Sequence, residues 1–425
     1  MTMPIDLPSD LQEEVLSRVP MKSLARFRAV CKQWNTLFVE DRFLAKHYGE
    51  HHFLIGTCFG EITSLNIKDN TLILLQNLSV GNIRPKKLQQ YIKVYKIGHC
   101  DGVLYYVLSN QILVWNPLLK LSRWIECDCS EFFELDEAYG LGYIRRSSSI
   151  YDYKLVRFRC PRNSKGRRAT VEVYEFTSNM WKTIDISFDW FLRVPLASVS
   201  LRGTPYWIGL REDNTAFIQS FDFIKERFEP LDHLPFKYVE DNFIALDIFK
   251  GDRLSLLHQC STTRKINIWV KDCIMSWTRL MTVDIPELPV LYERHIVLPA
   301  VYFVVKDNEL VISAINSERG FLDIYIVRKK DFQKIETYLG FCVSIACKYR
   351  PSLVRLPGFS KQNTSPIGQW KENDLSSFVI IITFGYSAYL LFHFPYVMLV
   401  AIFTHQHLKI SSFSLFKINT CPGMF

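Results

Sequence analysis

The chain has 425 residues, of which 48% are apolar, with only 18 Gly and 18 Pro. This composition excludes a disordered or collagen-like chain and predicts a sizeable buried core. The 31 Phe, 20 Tyr and 9 Trp favour strands, because aromatic side chains suit a pleated, half-buried surface. The net charge of +8 is spread along the chain instead of being gathered on one segment, so we expect no nucleic-acid partner.

Cysteine usage and the start of the chain indicate the compartment. Eleven Cys, an odd number without dense spacing, do not form the pattern of a disulfide framework and favour reduced thiols. Asp6, Asp10 and Glu13 stand where a secretory signal needs an apolar run. We therefore expect the protein in the cytoplasm and nucleus.

Three short helices are predicted in the first fifty residues. Ser9 and Gln12 have the spacing of a capping box, which predicts a helix that begins at Asp10 and ends at Pro20. Two more are predicted over residues 23–29 and 30–39. So small a helical core needs a partner or neighbouring structure, so the segment is either an interaction module or a helical cap on the larger body.

The N-terminal residues resemble an F-box, in the form found in the large plant F-box families. The resemblance is carried by LP (7–8), VL (15–16), VP (19–20) and the string SLARFRAVCKQWNTLFVEDRFLAKHY over 23–48, with Val15 and Val19 where Ile or Leu is commoner. It implies helix-to-helix docking onto the small Skp adaptor of a cullin-RING ubiquitin ligase. The implied adaptor contacts are Leu7, Pro8, Leu11, Leu16, Pro20, Leu24, Val30 and Trp34, some of which must also hold the helices together.

Residues 100 to 335 repeat one pattern of strands. Aromatic markers within alternating strands recur every 47 to 59 residues, at Trp115, Tyr174, Phe221, Trp269 and Tyr325. A strand precedes each marker, and another aromatic residue follows seven to nine positions later, so each unit holds at least three antiparallel strands. Units of this size, which cannot bury both faces alone, are typical of a β-propeller.

Strand-like runs at the two ends of this region predict a further blade. Residues 53–97 and 341–349 could assemble it and close the ring, so that no sheet edge is left exposed. The predicted fold is mainly β with a small N-terminal α module, a three-helix F-box followed by a kelch-like β-propeller of about six blades. An incomplete propeller or an open β-sandwich is the alternative.

This region also resembles the type 1 F-box-associated domain of plant F-box proteins. The residues that carry the likeness include GHCDGVLYY (98–106), VWNP (114–117), YGLGY (139–143), GTPYW (203–207) and YRPSLVRLP (349–357). The resemblance implies a domain that presents a degradation target to the ligase. The predicted domains are thus the F-box over 1–48, the propeller-like domain over 49–357 and an apolar tail over 358–425.

A search for catalytic patterns finds no GxSxG, GxxxxGK[ST], HExxH or CxxC motif. The Gly-containing stretch at 139–146 is interpreted as a turn, and the Cys and His spacings do not match a structural zinc site. We expect no catalytic residue, cofactor or metal.

The predicted function is the substrate-recognition subunit of a Skp-cullin-F-box ubiquitin ligase, whose partners are the Skp adaptor, the cullin scaffold through that adaptor, and an unidentified target protein. The alternatives are a kelch-type propeller enzyme and a binding protein that acts outside the ligase.

Three polar loops are candidates for contacting the target, at 159–168, 211–214 and 261–265.

After Pro357 the repeat stops. A run of 26 residues, 378–403, then lacks Lys, Arg, Asp and Glu. As a helix it would be about 39 Å long, enough to cross a bilayer core of about 30 Å. The tail is interpreted either as a membrane anchor or as aberrant read-through sequence, and any membrane association would pass through 378–403.

Overall fold

In the computed structural model, the described residues are 8–19, 21–38, 43, 52–57, 61–68, 71–79, 96–108, 111–127, 137–146, 151–159, 168–192, 198–272, 276–291, 301–306, 309–315, 322–329, 331–336, 343–349 and 352–361. The predicted tail segment 378–403 lies outside them. Within this described part, no helix has the length and apolar character that crossing a membrane requires.

Three helices open the chain, as the sequence predicts: α1 (Ser9–Ser17), α2 (Met21–Phe27) and α3 (Lys32–Leu37). The predicted capping box is wrong, because Pro8 occupies the cap position of α1 and no side chain bonds there. The side-chain oxygen of Gln12 instead accepts a 3.1 Å hydrogen bond from the indole N–H of Trp34. This bond ties α1 to α3, so a tertiary contact replaces the local one.

The described strands form six sheets, which we number as blades 1 to 6. Blade 1 contains β1 (His52–Thr57), β2 (Glu61–Lys68), β3 (Thr71–Ser79) and, from late in the chain, β25 (Val343–Lys348). Blade 2 contains β4 (Lys96–Cys100), β5 (Val103–Val107), β6 (Gln111–Asn116), β7 (Leu121–Glu126) and β26 (Ser360–Lys361). Blade 3 contains β8 (Glu137–Arg145), β9 (Tyr151–Arg159), β10 (Arg168–Glu175) and β11 (Met180–Ser187).

The remaining blades follow the same plan. Blade 4 contains β12 (Phe191–Leu192), β13 (Val199–Leu201), β14 (Thr204–Leu210), β15 (Ala216–Asp222) and β16 (Arg227–His233). Blade 5 contains β17 (Phe243–Phe249), β18 (Arg253–Gln259), β19 (Ile266–Lys271) and β20 (Trp277–Val283). Blade 6 contains β21 (Val301–Lys306), β22 (Glu309–Ile315), β23 (Leu322–Arg328) and β24 (Phe332–Glu336).

The innermost strands close a ring. In order around the axis, β4, β8, β13, β17, β21 and β25 each contact the next, and β25 contacts β4 again. In blade 1, β25 pairs with β1 in antiparallel register, Leu54 opposite Cys347. The predicted propeller is confirmed, and so is the assembly of one blade from both ends of the region. This pairing leaves no gap between the first and last strands.

Apolar side chains fill the spaces between neighbouring blades. Between blades 3 and 4 the buried cluster contains Phe158, Trp190, Trp207 and Phe221, and comparable clusters join blades 2 and 3, 4 and 5, and 5 and 6. Each fully buried large side chain contributes about 1.5–3 kcal/mol relative to an exposed one. The repeating aromatic residues of the sequence therefore pack between neighbouring blades.

Two further expectations differ from the structure. The stretch at 139–146, interpreted as a turn, lies largely in strand β8. A Cβ atom at Gly140 would lie 2.7 Å from atoms of Pro205 and Trp207, so the glycine allows blades 3 and 4 to approach closely. The sheet also continues beyond the predicted boundary at Pro357, because Ser360 and Lys361 pair with Ser122 and Leu121 of β7.

Candidate interaction surfaces

The core of the helical module is shared with the propeller. Leu16, Leu24, Phe38 and Phe43 are buried together with Leu353, which follows the closing strand β25. Leu118 and Leu119, in the turn between β6 and β7, pack against the same cluster. The helices therefore rest on blade 2 and on residues 352–356, and part of their apolar surface is used within the chain.

Polar contacts reinforce this junction. The buried Asn116 side chain donates 2.9 Å hydrogen bonds to the carbonyl oxygens of Ser352 and Val354. Arg28 donates from its guanidinium to the carbonyl of Leu353 and, over 2.7 Å, to Asn35. Burial and the nearby positive charge of Arg355 lower the pKa of Arg28 from its usual value. The helices and the propeller thus share hydrogen bonds as well as a core.

The predicted adaptor contacts divide into two groups. Leu16 and Leu24 are 3% and 0% exposed and belong to the internal core. Leu11 and Val30 are 52% and 63% exposed, Pro8 is exposed, and Trp34 is half-buried. Leu7 and Pro20 lie outside the described residues. A partner can reach Pro8, Leu11 and Val30 without disturbing the core, whereas Trp34 also packs against that core.

One further exposed apolar residue, Val15, was not among the predicted contacts. It lies one helical turn after Leu11 on α1 and is 56% exposed. The spacing i, i+4 and i+8 puts Leu11, Val15 and Val19 on one helical stripe. What it could not show is that Leu16 faces inward, because that depends on Leu353, more than 300 positions away.

The three candidate target loops belong to one face of the propeller. Each joins the second and third strands of its blade, counted from the axis: β9 to β10, β14 to β15, and β18 to β19. The turn that contacts the helices joins the third and fourth strands of blade 2. In an antiparallel sheet these connections lie at opposite ends. The candidate loops therefore lie on the face opposite the helices.

Two of these loops are described in full. In the first, at 211–214, the backbone N–H of Asn214 donates to the backbone carbonyl of Arg211, and the guanidinium of Arg211 lies 4.7 Å from the ring centre of Phe217. In the second, Arg264 donates from its guanidinium to the carbonyls of Pro286 and Leu288, at 3.1 and 3.4 Å. Most of the loop at 159–168 lies outside the described residues. The two arginines thus differ, because backbone carbonyl oxygens hold the guanidinium of Arg264, whereas the guanidinium of Arg211 packs on an aromatic ring.

The side chains do not assemble a metal centre within the described ranges. There, no group of three or more His, Cys, Asp or Glu residues could hold a metal ion. The thiols have contrasting environments: Cys100 is buried, which raises its pKa, whereas hydrogen bonds from Thr263 and Thr262 lower the pKa of Cys260 to about 7.

Comparison with known proteins gives the family. The model of the F-box domain matches residues 5–46, and that of the F-box associated beta propeller domain matches residues 62–356. The chain belongs to the F-box proteins that carry this propeller domain, as the sequence resemblance indicated.

Relatives from Arabidopsis thaliana share both parts. The chain is 38% identical over 382 residues to At3g16590, covering 84% of this chain and all of the relative. It is 35% identical over 386 residues to F-box/WD-40 repeat-containing protein 1, covering 84% of this chain and 90% of that one. F-box protein At3g17710 is 32% identical over 375 residues, with coverage of 84% and 99%.

Proposed function

We propose that this chain is the substrate-recognition subunit of a Skp-cullin-F-box ubiquitin ligase. Its helices dock onto the Skp adaptor, which connects the chain to the cullin scaffold, and its propeller binds a target protein. The chain itself performs no covalent chemistry. Holding the target beside a charged ubiquitin-conjugating enzyme raises the effective concentration of the target lysine, and this accelerates transfer.

One observation carries the proposal: the F-box helices keep exposed apolar side chains outward while their core is joined to the propeller. Leu11, Val15 and Val30 are all more than half exposed, although burial would be favourable for each. A partner helix that covers them would gain this free energy. Because the candidate target loops lie on the opposite face, adaptor and target can bind at the same time.

The test is co-purification of the Skp adaptor with the full chain. We expect wild type to retain the adaptor and Leu11→Asp to lose at least about tenfold in affinity, because a buried unpaired carboxylate is costly at an apolar interface. Leu11 lies in the first turn of α1, where an acidic residue is compatible with the helix dipole, so the variant should fold. A Leu7→Ala, Pro8→Ala double variant tests the start of the predicted motif.

The matched control is Val239→Asp. Val239 is 47% exposed, close to the 52% of Leu11, but lies in the propeller between β16 and β17. It should retain the adaptor. If folded wild type does not bind the adaptor, or Leu11→Asp binds it as well as wild type does, the proposal is overturned. Adaptor binding without cullin in the same complex would instead indicate a function outside the ligase.

A further inference from the structure

A cleft opens between blades 3 and 4. Its volume is about 390 Å³, within the range of sites that hold small ligands or a few side chains. Blade 3 and the segment after it contribute Asp185, Ser187, Asp189 and Trp190, and blade 4 contributes Arg211 and Phe217. None of these residues belongs to the F-box surface described above.

The cleft has an aromatic floor. Trp190 is 8% and Phe217 2% exposed, and their ring centres are 6.1 Å apart. Phe228 packs edge-on against Trp190 at 5.3 Å. Further along β11 from the cleft, Lys182 of blade 3 forms a 2.6 Å ion pair with Glu226 of blade 4. The floor is therefore a small aromatic patch, suited to the end of an apolar side chain.

Opposite charges lie on the two walls. Asp185 and Asp189 are exposed on the side of blade 3, and Arg211 extends from the β14–β15 loop on the other side. Among the described residues, the side chains of these three form neither a hydrogen bond nor an ion pair. The guanidinium of Arg211 instead lies over the ring of Phe217, which leaves its N–H groups available. The nearby Arg227 differs, because Glu229 accepts hydrogen bonds from it at 2.8 and 3.0 Å.

The strand register places these groups together. Phe191 pairs with Leu210, so Trp190 and Arg211 are neighbours at the ends of β12 and β14. Ser187 pairs with Arg168, the last residue of the loop at 159–168 and the first of β10. The mouth of the cleft is thus at the face that carries the candidate target loops, away from the helices.

We propose that this cleft binds a linear segment of the target protein in which an apolar side chain is flanked by an acidic and a basic residue. The acidic side chain would accept hydrogen bonds from Arg211, the apolar one would pack against Trp190, and the basic one would reach Asp185 and Asp189. A ligand with both charges is favoured over a neutral one, because the charged groups on both walls form no hydrogen bond or ion pair with other side chains that the structure describes. The inference rests on the proposed function, since it concerns the target of the same receptor.

The experiment uses the full chain purified with the Skp adaptor and a displayed library of random nonapeptides. Wild type should select peptides with an apolar residue between an acidic and a basic one. A synthetic peptide of the selected sequence is then measured by fluorescence polarisation. Arg211→Glu should weaken its binding at least about tenfold. The double variant Asp185→Lys, Asp189→Lys should weaken binding to a similar extent, because it repels the basic residue of the peptide. A peptide in which the acidic and basic residues are exchanged should bind wild type more weakly than the selected peptide does.

Two variants serve as controls. Arg202→Glu changes an exposed arginine in the β13–β14 turn, at the opposite face, and should leave binding unchanged. Arg211→Gln removes the charge without reversing it, so it gives an intermediate loss and replaces Arg211→Glu if thermal melting shows that the latter is unfolded.

Three results would overturn the inference. The first is that wild type selects peptides without the charge pattern. The second is that the Arg211→Glu variant binds the selected peptide as well as wild type does. The third is that wild type selects no peptide, with or without binding to an oligosaccharide array through Arg211, and binding to the array identifies the alternative ligand. Adaptor co-purification is measured on the same preparations. If the peptide result contradicts the inference while the adaptor is retained, only the inference about the cleft is overturned. Loss of the adaptor from wild type would contradict the proposed function itself.

Discussion

At the scale of single residues, the surroundings of two thiols set their acidity in opposite directions. Cys260, in the loop between β18 and β19, accepts hydrogen bonds from Thr263 and Thr262, which stabilise the thiolate and lower its pKa to about 7. Cys100 is buried, which destabilises the thiolate and raises its pKa. Because thiolates are the reactive form, the two cysteines should differ in alkylation although both are free thiols.

We predict that iodoacetamide alkylates Cys260 with a pH midpoint near 7 in the native protein, whereas Cys100 reacts only after unfolding. Peptide mass spectrometry over a pH series measures both. Thr263→Val should raise the midpoint toward the ordinary thiol value, and Thr278→Val, in β20, should not. Since the folded pKa of Cys260 is below the unfolded one, its contribution to stability is complete above the unfolded pKa and is lost as the pH falls through about 7. A midpoint near 9 would contradict the assignment.

At the scale of elements, strand β8 depends on glycines for its position against blade 4. A Cβ atom at Gly142 would collide with the carbonyl oxygen of Gly203 and lie 2.6 Å from Phe223. The same carbonyl accepts a 2.9 Å hydrogen bond from the backbone N–H of Tyr143. A side chain at position 142 would therefore push two hydrogen-bonded backbones apart.

Gly142→Ala should lower the free energy of unfolding by about 2–4 kcal/mol, the range expected for overpacking that backbone shifts must absorb. Gly209→Ala is the graded control. There the added Cβ would meet only the ring tip of Phe217, at 2.9 Å, and a ring tip moves more easily than a backbone carbonyl. Urea unfolding of both variants measures the difference. Equal losses would show that the contact with Gly203 does not limit the approach of the two blades.

The elements also show what the sequence can and cannot predict. The second, third and fourth strands of blades 2 to 6 were predicted, because an aromatic marker lies in the alternating third strand, as in Ile266–Lys271, and a second aromatic residue lies in the fourth. The innermost strands were not, because some are short, such as Val199–Leu201, and others, such as Glu137–Arg145, are buried on both faces and do not alternate. Gly142 was misread for the same reason: a glycine required by a neighbouring blade has no local signal that separates it from a turn glycine.

The candidate surfaces show the same limit. The apolar residues of the F-box were identified from their spacing, but which of them face inward depends on Leu353, whose contact with the helices crosses most of the chain. The cleft between blades 3 and 4 could not be predicted, since it joins residues of several strands. Only Arg211 lay in a loop that the sequence had already singled out.

At the scale of the whole molecule, one late segment performs two tasks. Strand β25 closes the propeller by pairing with β1, and the residues after it complete the F-box core through Leu353 and bond to Arg28 and Asn116. Ring closure and the placement of the F-box helices are therefore coupled. Damage to this segment should affect both, although adaptor and target would bind at opposite faces.

A chain that ends after residue 342 should lose both cooperative unfolding and adaptor binding. It lacks β25, so the edge of β1 and the inner ring are left unpaired, and it lacks the buried Leu353 and Leu356. The control ends after Thr364, where the first compact unit of the chain ends, and should retain both properties. Differential scanning calorimetry and adaptor co-purification measure them. If the shorter chain kept its adaptor while its melting transition broadened, the F-box core would be independent of the propeller, and the shared role of Leu353 would have to be abandoned.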